Sequence, residues 1–341
     1  MENISKIDTS LHSMKHRSVK HDYSDRGIYM LTFVTINRQP LFGRVVDAKM
    51  QLSELGALIE QEVLSIPRFY PQLEILQVQI MPDHLHVLIF IHERLSKHLS
   101  FVVKGFKIGC NRIYHAFVTN TRGNKNAATM TADGGDIPRT TDGETESPIL
   151  FESGYHDRFL RNHGQLENLM NYIKENPRRL WIKQQHRELF EHVTNLSIGS
   201  QTYAAIGNRF LLQRPDKLQV QCSRKISEEE LYAQQEQLLE AGREGAVLVS
   251  PCISLGEKQI ARAALEAGVP LIVLLENGFP EYYKPPKTYF EACAAGRLLM
   301  LAPWEYHFEK RTITRTQCLA LNAMAKDICQ HTHAAIETPP R

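Results

Sequence analysis

The chain has 341 residues, of which 43% are hydrophobic and 23% are charged, with a formal net charge of +2. This composition is ordinary for a globular protein, and the length allows two domains, each with its own core. The charge balance of the whole chain does not indicate nucleic-acid binding, so local patterns must decide.

The sequence also argues against a secreted protein and against a membrane-spanning protein. Residues 1–27 lack the apolar core of a signal peptide, and no apolar run reaches the roughly 20 residues that span a bilayer. No two of the six cysteines have CxxC spacing. We therefore expect a cytoplasmic protein with reduced thiols and no membrane partner.

The first part of the chain mixes strand and helix patterns after a flexible arm at residues 1–26. Strands are predicted at Ile28–Ile36, Leu73–Ile80, His84–Ile91 and Ile149–Phe151, and helices at Asp47–Leu64, Leu95–Phe117 and Gly164–Glu175. The turn residues Met81–Asp83 join the second and third strands into a hairpin, and Pro177 is expected to end the last helix.

A basic stretch and a polar insertion follow the hairpin. No acidic residue occurs between Glu93 and Asp133, whereas lysine and arginine recur there, including Lys104, Lys107 and Arg112. Such a run is either a phosphate-binding surface or a solvated face. Residues 120–147 have almost no large apolar side chains, which predicts a flexible insertion.

A second unit is predicted at residues 200–330, after a linker at Glu188–Gln201. Short apolar strands alternate with a helix in this part: Gly207–Leu212, Ala246–Ser250, helix Glu257–Ala267, Leu271–Leu275 and Leu298–Leu301. This alternation is typical of a parallel sheet that is covered on both faces.

Two residue pairs suggest chemistry. His84 and His86 lie two apart on a predicted strand, so their imidazoles share a face and could hold a divalent metal. The alternative is a pair of partly exposed polar histidines on a sheet face. The same spacing at His331 and His333 lies in a polar tail, where we favour histidines without a metal. Tyr172 and Asn176 lie four apart on a predicted helix and also share a face.

The two pairs fit one mechanism. A tyrosine hydroxyl is a weak nucleophile because its pKa is about 10. A metal held by His84, His86 and the amide of Asn176 could polarise a phosphodiester beside Tyr172. Guanidinium groups suit phosphate. The nearby candidates for the flanking backbone are Arg158, Arg161, Arg178 and Arg179.

Four motifs in order then resemble one enzyme family. MPDHLHVLI resembles the HUH motif of single-tyrosine transposases, in particular the REP-associated and small insertion-sequence transposases. GYHDRFLRN with LENLMNYIKENPRRL resembles their tyrosine region, YMLTFVTINRQPLF their first strand, and SFVVKGFKIGCNRIY their basic helix. The resemblance covers most of residues 27–183, and the 120–147 insertion departs from it.

The resemblance implies an α+β HUH domain at residues 27–187, with helices on an antiparallel, ferredoxin-like sheet. It implies Mg²⁺ or Mn²⁺ as cofactor, and single-stranded or hairpin DNA as partner, handled by a monomer or homodimer. Tyr172 would form a 5′-phosphotyrosine intermediate, with His84, His86 and Asn176 as metal ligands. Tyr155 is the rival nucleophile.

The second unit resembles a different family. SPCISLGEKQIARAALEAGVPLIVLLENGFPEYYKPP and the turn Gly207–Arg209 resemble the Rossmann-like α/β core of the DNA-processing protein A family. The helix start near Ser254 and Gly256 would then seat a phosphate. A plain α/β domain is the alternative.

Three functions remain open from the sequence. The first is an active DNA transposase of a mobile element. The second is a domesticated, non-catalytic DNA-binding or regulatory protein, and the third is a metal-dependent hydrolase that uses the histidines without Tyr172.

Overall fold

The computed structural model describes residues 21–123, 148–160, 164–223, 225–281, 283–309 and 311–330. Most of the predicted arm, residues 124–147 of the predicted insertion, Arg161, and the histidines at 331 and 333 lie outside these ranges. The chain divides into two compact units, Met1–Trp181 and Ile182–Arg341. None of the helices in the described ranges is long and apolar enough to cross a membrane.

The first unit contains the following elements in chain order: β1 (Gly27–Val34), β2 (Gly43–Val46), β3 (Lys49–Leu52), α1 (Glu54–Phe69), β4 (Leu73–Ile80), β5 (His84–Ile91), α2 (Leu99–Gly123), β6 (His156–Phe159) and α3 (Gly164–Gln185). Within the described residues, the strands β4, β5, β1 and β6 form an antiparallel sheet in that order. The antiparallel sheet with helices that the sequence predicts is therefore present.

The predicted helix at Asp47–Leu64 is wrong in its first turns. Residues 43–52 form the β2–β3 hairpin, whose turn places Asp47 and Ala48 at φ angles of 48° and 62°. Helix α1 begins only at Glu54, because the hydroxyl of Ser53 accepts a hydrogen bond from the amide of Gly56 and caps the first turn. The helix then continues to Phe69.

Helices α1 and α2 cover one face of the sheet. Their inward side chains join those of β1 and β5 in a buried apolar cluster that includes Phe33, Leu85, Val87, Ile89 and Phe106. Helix α2 begins four residues later than predicted and continues through residues 120–123 of the predicted insertion. The predicted strand at residues 149–151 is reduced to a single bridge between Thr35 and Phe151.

Helix α3 packs on the other face of the sheet. Its residues Leu169 and Ile173 form a separate apolar cluster with Leu88 of β5 and Leu160 beyond β6. The expectation that Pro177 ends this helix is wrong, because the helix runs through it to Gln185. Pro177 is one of the buried residues on the inward stripe, and packing there offsets the roughly 3 kcal/mol local cost of a helical proline.

The second unit contains α4 (Arg187–Phe190), β7 (Val193–Ile198), β8 (Gln201–Gly207), β9 (Lys217–Gln219), α5 (Glu228–Arg243), β10 (Val247–Ser250), α6 (Leu255–Ala267), β11 (Leu271–Leu274), α7 (Lys287–Ala294), β12 (Leu298–Ala302) and α8 (Arg315–Gln330). The sheet order among the described residues is β7-β8-β12-β11-β10-β9. Strands β9 to β12 are parallel. The sequence predicted β10, β11 and β12 but not β9, and β8 and β7 extend the sheet in antiparallel fashion.

Two predicted segments of this unit differ from the structure. The predicted linker at Glu188–Gln201 contains α4 and β7. The strand predicted at Gly207–Leu212 ends at its first residue, because Gly207 has a φ of 122° and the side chain of Asn208 caps a short 3₁₀ turn by accepting the amide of Phe210. A side chain at Gly207 would lie 2.2 Å from the carbonyl oxygen of Leu298.

Candidate active site

Strand β5 presents its histidines and its apolar residues to opposite faces of the sheet. Leu85, Val87 and Ile89 are buried in the cluster under α1 and α2. Leu88, which shares the parity of the histidines, packs instead in the cluster under α3. His84 and His86 therefore belong to the face that α3 partly covers, and their ring centroids are 5.0 Å apart.

Both imidazoles are held through the same ring nitrogen. The Nδ1 atom of His84 lies 2.6 Å from a carboxylate oxygen of Asp83, and the Nδ1 atom of His86 lies 2.8 Å from the hydroxyl of Thr32. Such contacts fix the orientation of a metal-binding imidazole and select its tautomer. For both histidines, Nε2 is then the nitrogen that would coordinate a metal.

The carboxylate behind His84 is itself supported. Burial tends to raise the pKa of Asp83, but hydrogen bonds and charge from His84 and Arg38 outweigh it and hold that pKa below its usual value. The Arg38 guanidinium lies 3.2 Å from this carboxylate. The backbone carbonyl of Asp83 accepts both the amide and the hydroxyl of the buried Thr35. Asp83 therefore stays ionised and in place.

The strand register aligns a polar row across the whole sheet. His86 lies opposite Gln79 of β4 on one side and Thr32 of β1 on the other, and Thr32 lies opposite His156 of β6. Residues that pair directly across antiparallel strands point to the same face. The histidines therefore lie within a polar row rather than in isolation.

Helix α3 lies over the apolar rows beside this polar row. The side-chain amide of Gln77 donates to the carbonyl of Met170 at 3.2 Å, which ties β4 to the helix. Tyr172 is partly buried against the same apolar cluster, with the Arg179 guanidinium 5.9 Å from its ring centre. Tyr172 thus borders the apolar stripe of α3.

The flank of α3 that carries Tyr172 faces away from β4. Lys174 and Pro177 line a small cleft with Val78 and Gln79 of that edge strand. At 100° per residue, Tyr172 lies on the opposite flank of the helix, toward the central strands of the sheet, one of which, β5, carries the histidines. Tyr172 and the histidine pair therefore belong to the same face of the unit.

Asn176 lies one turn after Tyr172 and is turned toward the sheet. Its side-chain Nδ2 atom is buried and has no hydrogen-bond partner among the described residues. Because the two ends of an amide are exchanged by a half rotation, its oxygen could occupy this buried position. Amide oxygens and imidazole nitrogens are both ligands of divalent cations such as Mn²⁺. The described part of the chain contains no cluster of three or more His, Cys, Asp or Glu residues that could hold a metal.

The predicted phosphate-binding cations are divided between the two faces. Lys104 and Arg112 are exposed on α2, on the side of the sheet away from the histidines. Arg158 is exposed on β6 and pairs with Met30, on the histidine face. Arg178 and Arg179 lie on α3, where Arg178 forms an ion pair with Glu175 at 3.3 Å.

Lys107 binds backbone carbonyls of its own chain. Its ammonium group donates to the carbonyls of Glu152 and Gly154 at 2.5 and 2.6 Å, and burial lowers its pKa to about 8. These contacts fasten α2 to the segment before β6, so this lysine is turned toward protein rather than toward a ligand.

The rival nucleophile lies in the core. Tyr155 is 8% exposed and stacks on Phe33, with ring centroids 5.9 Å apart. Phe33 belongs to the cluster under α1 and α2, on the face opposite the histidines. The Tyr155 ring therefore lies on the opposite side of the sheet from the histidine pair.

Three residues of the site were missed in the sequence. Asp83 stands inside the motif, but its role as the partner of His84 depends on the turn geometry. Thr32 and His156 join the site only through the register of β1 with β5 and β6. The four-residue β6 has no pattern from which that register could be predicted.

At the phosphate seat that the resemblance implies in the second unit, an internal carboxylate already binds two backbone amides. The start of α6 is occupied by the buried side chain of Glu257, whose carboxylate accepts the amides of Ile253 and Ser254 at 2.8 and 3.0 Å. The hydroxyl of Ser254 in turn accepts the amide of Glu257, which completes a capping box. A phosphate there would compete with an internal carboxylate for the same donors.

Comparisons with known proteins give a limited match. No protein-family model matches the chain. An uncharacterized protein of Haemophilus influenzae is 29% identical over 188 residues, which cover 53% of this chain and 96% of that protein.

Two solved structures are similar over about half of the chain. One is a REP-associated tyrosine transposase bound to a REP hairpin, with 14% identity, a TM-score of 0.31, and coverage of 48% of this chain and 74% of that one. The other is a candidate transposase of Deinococcus radiodurans, with 17% identity, a TM-score of 0.27, and coverage of 47% and 98%. Both scores are too low to establish a common fold.

Proposed function

We propose that the first unit is a metal-dependent DNA transposase that cleaves and rejoins single-stranded or hairpin DNA through Tyr172. One observation carries this proposal: both imidazoles are oriented by their own hydrogen-bonding partners, on the sheet face toward which the Tyr172 flank of α3 is turned. Histidines that were only surface residues would not need such support.

Tyr172 is the nucleophile of the proposed reaction. The hydroxyl of Tyr172 attacks the phosphorus and loses its proton to water, while the bond from phosphorus to the 3′ oxygen breaks. That oxygen takes up a proton and leaves as a 3′-hydroxyl, and the phosphate stays on the tyrosine as a 5′-phosphotyrosine. The bond energy is kept in this link, so rejoining needs no nucleotide hydrolysis.

His84, His86 and Asn176 would hold the divalent metal, Mg²⁺ or Mn²⁺. When bound, such a metal polarises the phosphate that is attacked. The Arg179 guanidinium beside the Tyr172 ring adds positive charge near the phenol. Arg158 on the same sheet face suits the phosphate backbone of the substrate.

Covalent trapping tests this function. The full-length protein is mixed with labelled single-stranded hairpin oligonucleotides from the flanks of its own gene, with Mg²⁺ or Mn²⁺, and then denatured. We expect a metal-dependent protein–DNA band that Tyr172→Phe abolishes and Tyr155→Phe keeps. A band that survives Tyr172→Phe would contradict the proposal, and cleavage without any band would favour the hydrolase.

A further inference from the structure

The polar row of the first unit continues past the histidines to the edge of the sheet. On the edge strand β6, His156 aligns with Thr32 and Arg158 aligns with Met30. Their neighbours have the opposite parity, since Phe159 packs against Tyr29 of the large core. His156 and Arg158 therefore project from the same face as His84 and His86.

These two side chains are available to a ligand. Both are exposed, although α3 packs on the apolar rows of the same face. Within the described residues, neither side chain takes part in a hydrogen bond or an ion pair. An exposed histidine and arginine with the same parity on an edge strand form a strip of donors whose spacing the strand fixes.

The spacing separates this strip from the metal position. Adjacent strands lie about 4.8 Å apart, so His156 is about 10 Å from His86 across β1, and Arg158 lies about 7 Å further along β6. Such separations span neighbouring phosphates of a DNA strand rather than the ligands of one ion. Arginine binds phosphate with two parallel hydrogen bonds, and histidine donates one.

We propose that His156 and Arg158 bind the phosphates next to the one that Tyr172 attacks. The DNA strand then crosses the sheet face from the histidine pair to the β6 edge. This inference rests on the proposed function and adds the path of the substrate. The alternative path along Lys104 and Arg112 would place the DNA on the other side of the sheet, away from the nucleophile.

Binding measurements in a cleavage-deficient background test the path. Tyr172→Phe protein is titrated with the same hairpin oligonucleotides over a range of salt concentrations. We expect the combined change His156→Ala and Arg158→Ala to reduce the slope of log affinity against log salt by about 1 to 2. The matched control, Arg112→Ala with His115→Ala, removes the same residue types from exposed positions of α2 and should leave the slope unchanged.

Removing the charge of a single phosphate tests whether His156 and Arg158 bind at that position of the DNA. A methylphosphonate next to the cleavage position should weaken binding by the Tyr172→Phe protein. It should have no effect once His156 and Arg158 are also replaced. Thermal unfolding midpoints, and a second pair of changes, His156→Gln and Arg158→Gln, verify that the loss is not a folding defect.

The outcomes separate this inference from the function on which it rests. An unchanged slope, or an equal loss in the α2 control, would overturn the path even if the wild-type protein forms its covalent adduct. A wild-type protein that forms no adduct, but whose salt slope depends on His156 and Arg158, would overturn the transposase proposal and keep the phosphate strip.

Discussion

The two faces of the first sheet differ in what covers them. The face of Leu85, Val87 and Ile89 is sealed by α1 and α2 over a continuous apolar cluster. The opposite face is apolar only under α3 and then changes to the polar row that contains His84 and His86. One strand, β5, supplies both faces, because successive residues point in opposite directions.

Alternate residues of one strand therefore contribute to different properties: those on the sealed face to folding stability and those on the open face to the candidate site. Residues on the sealed face contribute buried apolar area, which is the main source of folding free energy. Residues on the open face keep polar groups that find partners in their own neighbours, as His86 does in Thr32. A functional site can therefore be built on a strand without weakening the core beneath it.

The largest difference between the two faces should appear when two nearby residues of β5 are replaced one at a time. Leu85→Ala should destabilise the fold by about 2–5 kcal/mol, because Leu85 is fully buried. His86→Ala should instead weaken Mn²⁺ binding by more than about 100-fold, because loss of a ligand costs more affinity than loss of the group that orients it. Urea unfolding and calorimetric Mn²⁺ titration measure the two effects. If His86→Ala lowered stability as much as Leu85→Ala and left Mn²⁺ affinity intact, His86 would be a core residue.

A smaller effect should follow from the partner of His86. Thr32→Val keeps the shape of the side chain but removes the hydroxyl 2.8 Å from Nδ1. We expect Mn²⁺ affinity to fall by about 10- to 100-fold, because the imidazole loses its fixed orientation. Thr119→Val on the exposed surface of α2 is the matched control. Equal Mn²⁺ affinity for the Thr32 variant and the wild type would show that Thr32 does not position a metal ligand.

The sequence predicts β4 and β5 well but does not predict the β2–β3 hairpin. Strands β4 and β5 were predicted at their observed bounds, since β-branched runs flank a clear turn. The shared face of His84 and His86 follows from strand geometry alone. The β2–β3 hairpin was missed because of its turn residues. Asp47 and Ala48 have positive φ angles, but Asp-Ala is not one of the glycine-containing pairs, such as Asn-Gly, that signal a hairpin turn.

Burial and pairing between distant segments could not be predicted. The family resemblance prefers Tyr172 to Tyr155, but the burial of Tyr155 against Phe33 is a tertiary contact that the sequence does not predict. The burial of Glu257 could not be predicted either. Its carboxylate accepts the amide of Cys222, which joins the first turn of α6 to a distant loop. These features depend on tertiary contacts that no local pattern encodes.

The smallest effect should come from Lys107, on the sealed side of the sheet. Burial lowers its pKa from 10.5 to about 8, so the unfolded chain binds more protons than the folded chain between these two values. Stability from this site must then rise as pH increases from about 8 to about 10.5.

This pH dependence can be isolated by substitution. The stability difference between the wild type and Lys107→Met should shift in favour of the wild type over that range, as measured by urea unfolding. Lys104→Met, at an exposed position on the same helix, should show no such shift. A constant difference for Lys107→Met would mean that this lysine keeps its proton in the folded protein over the whole range.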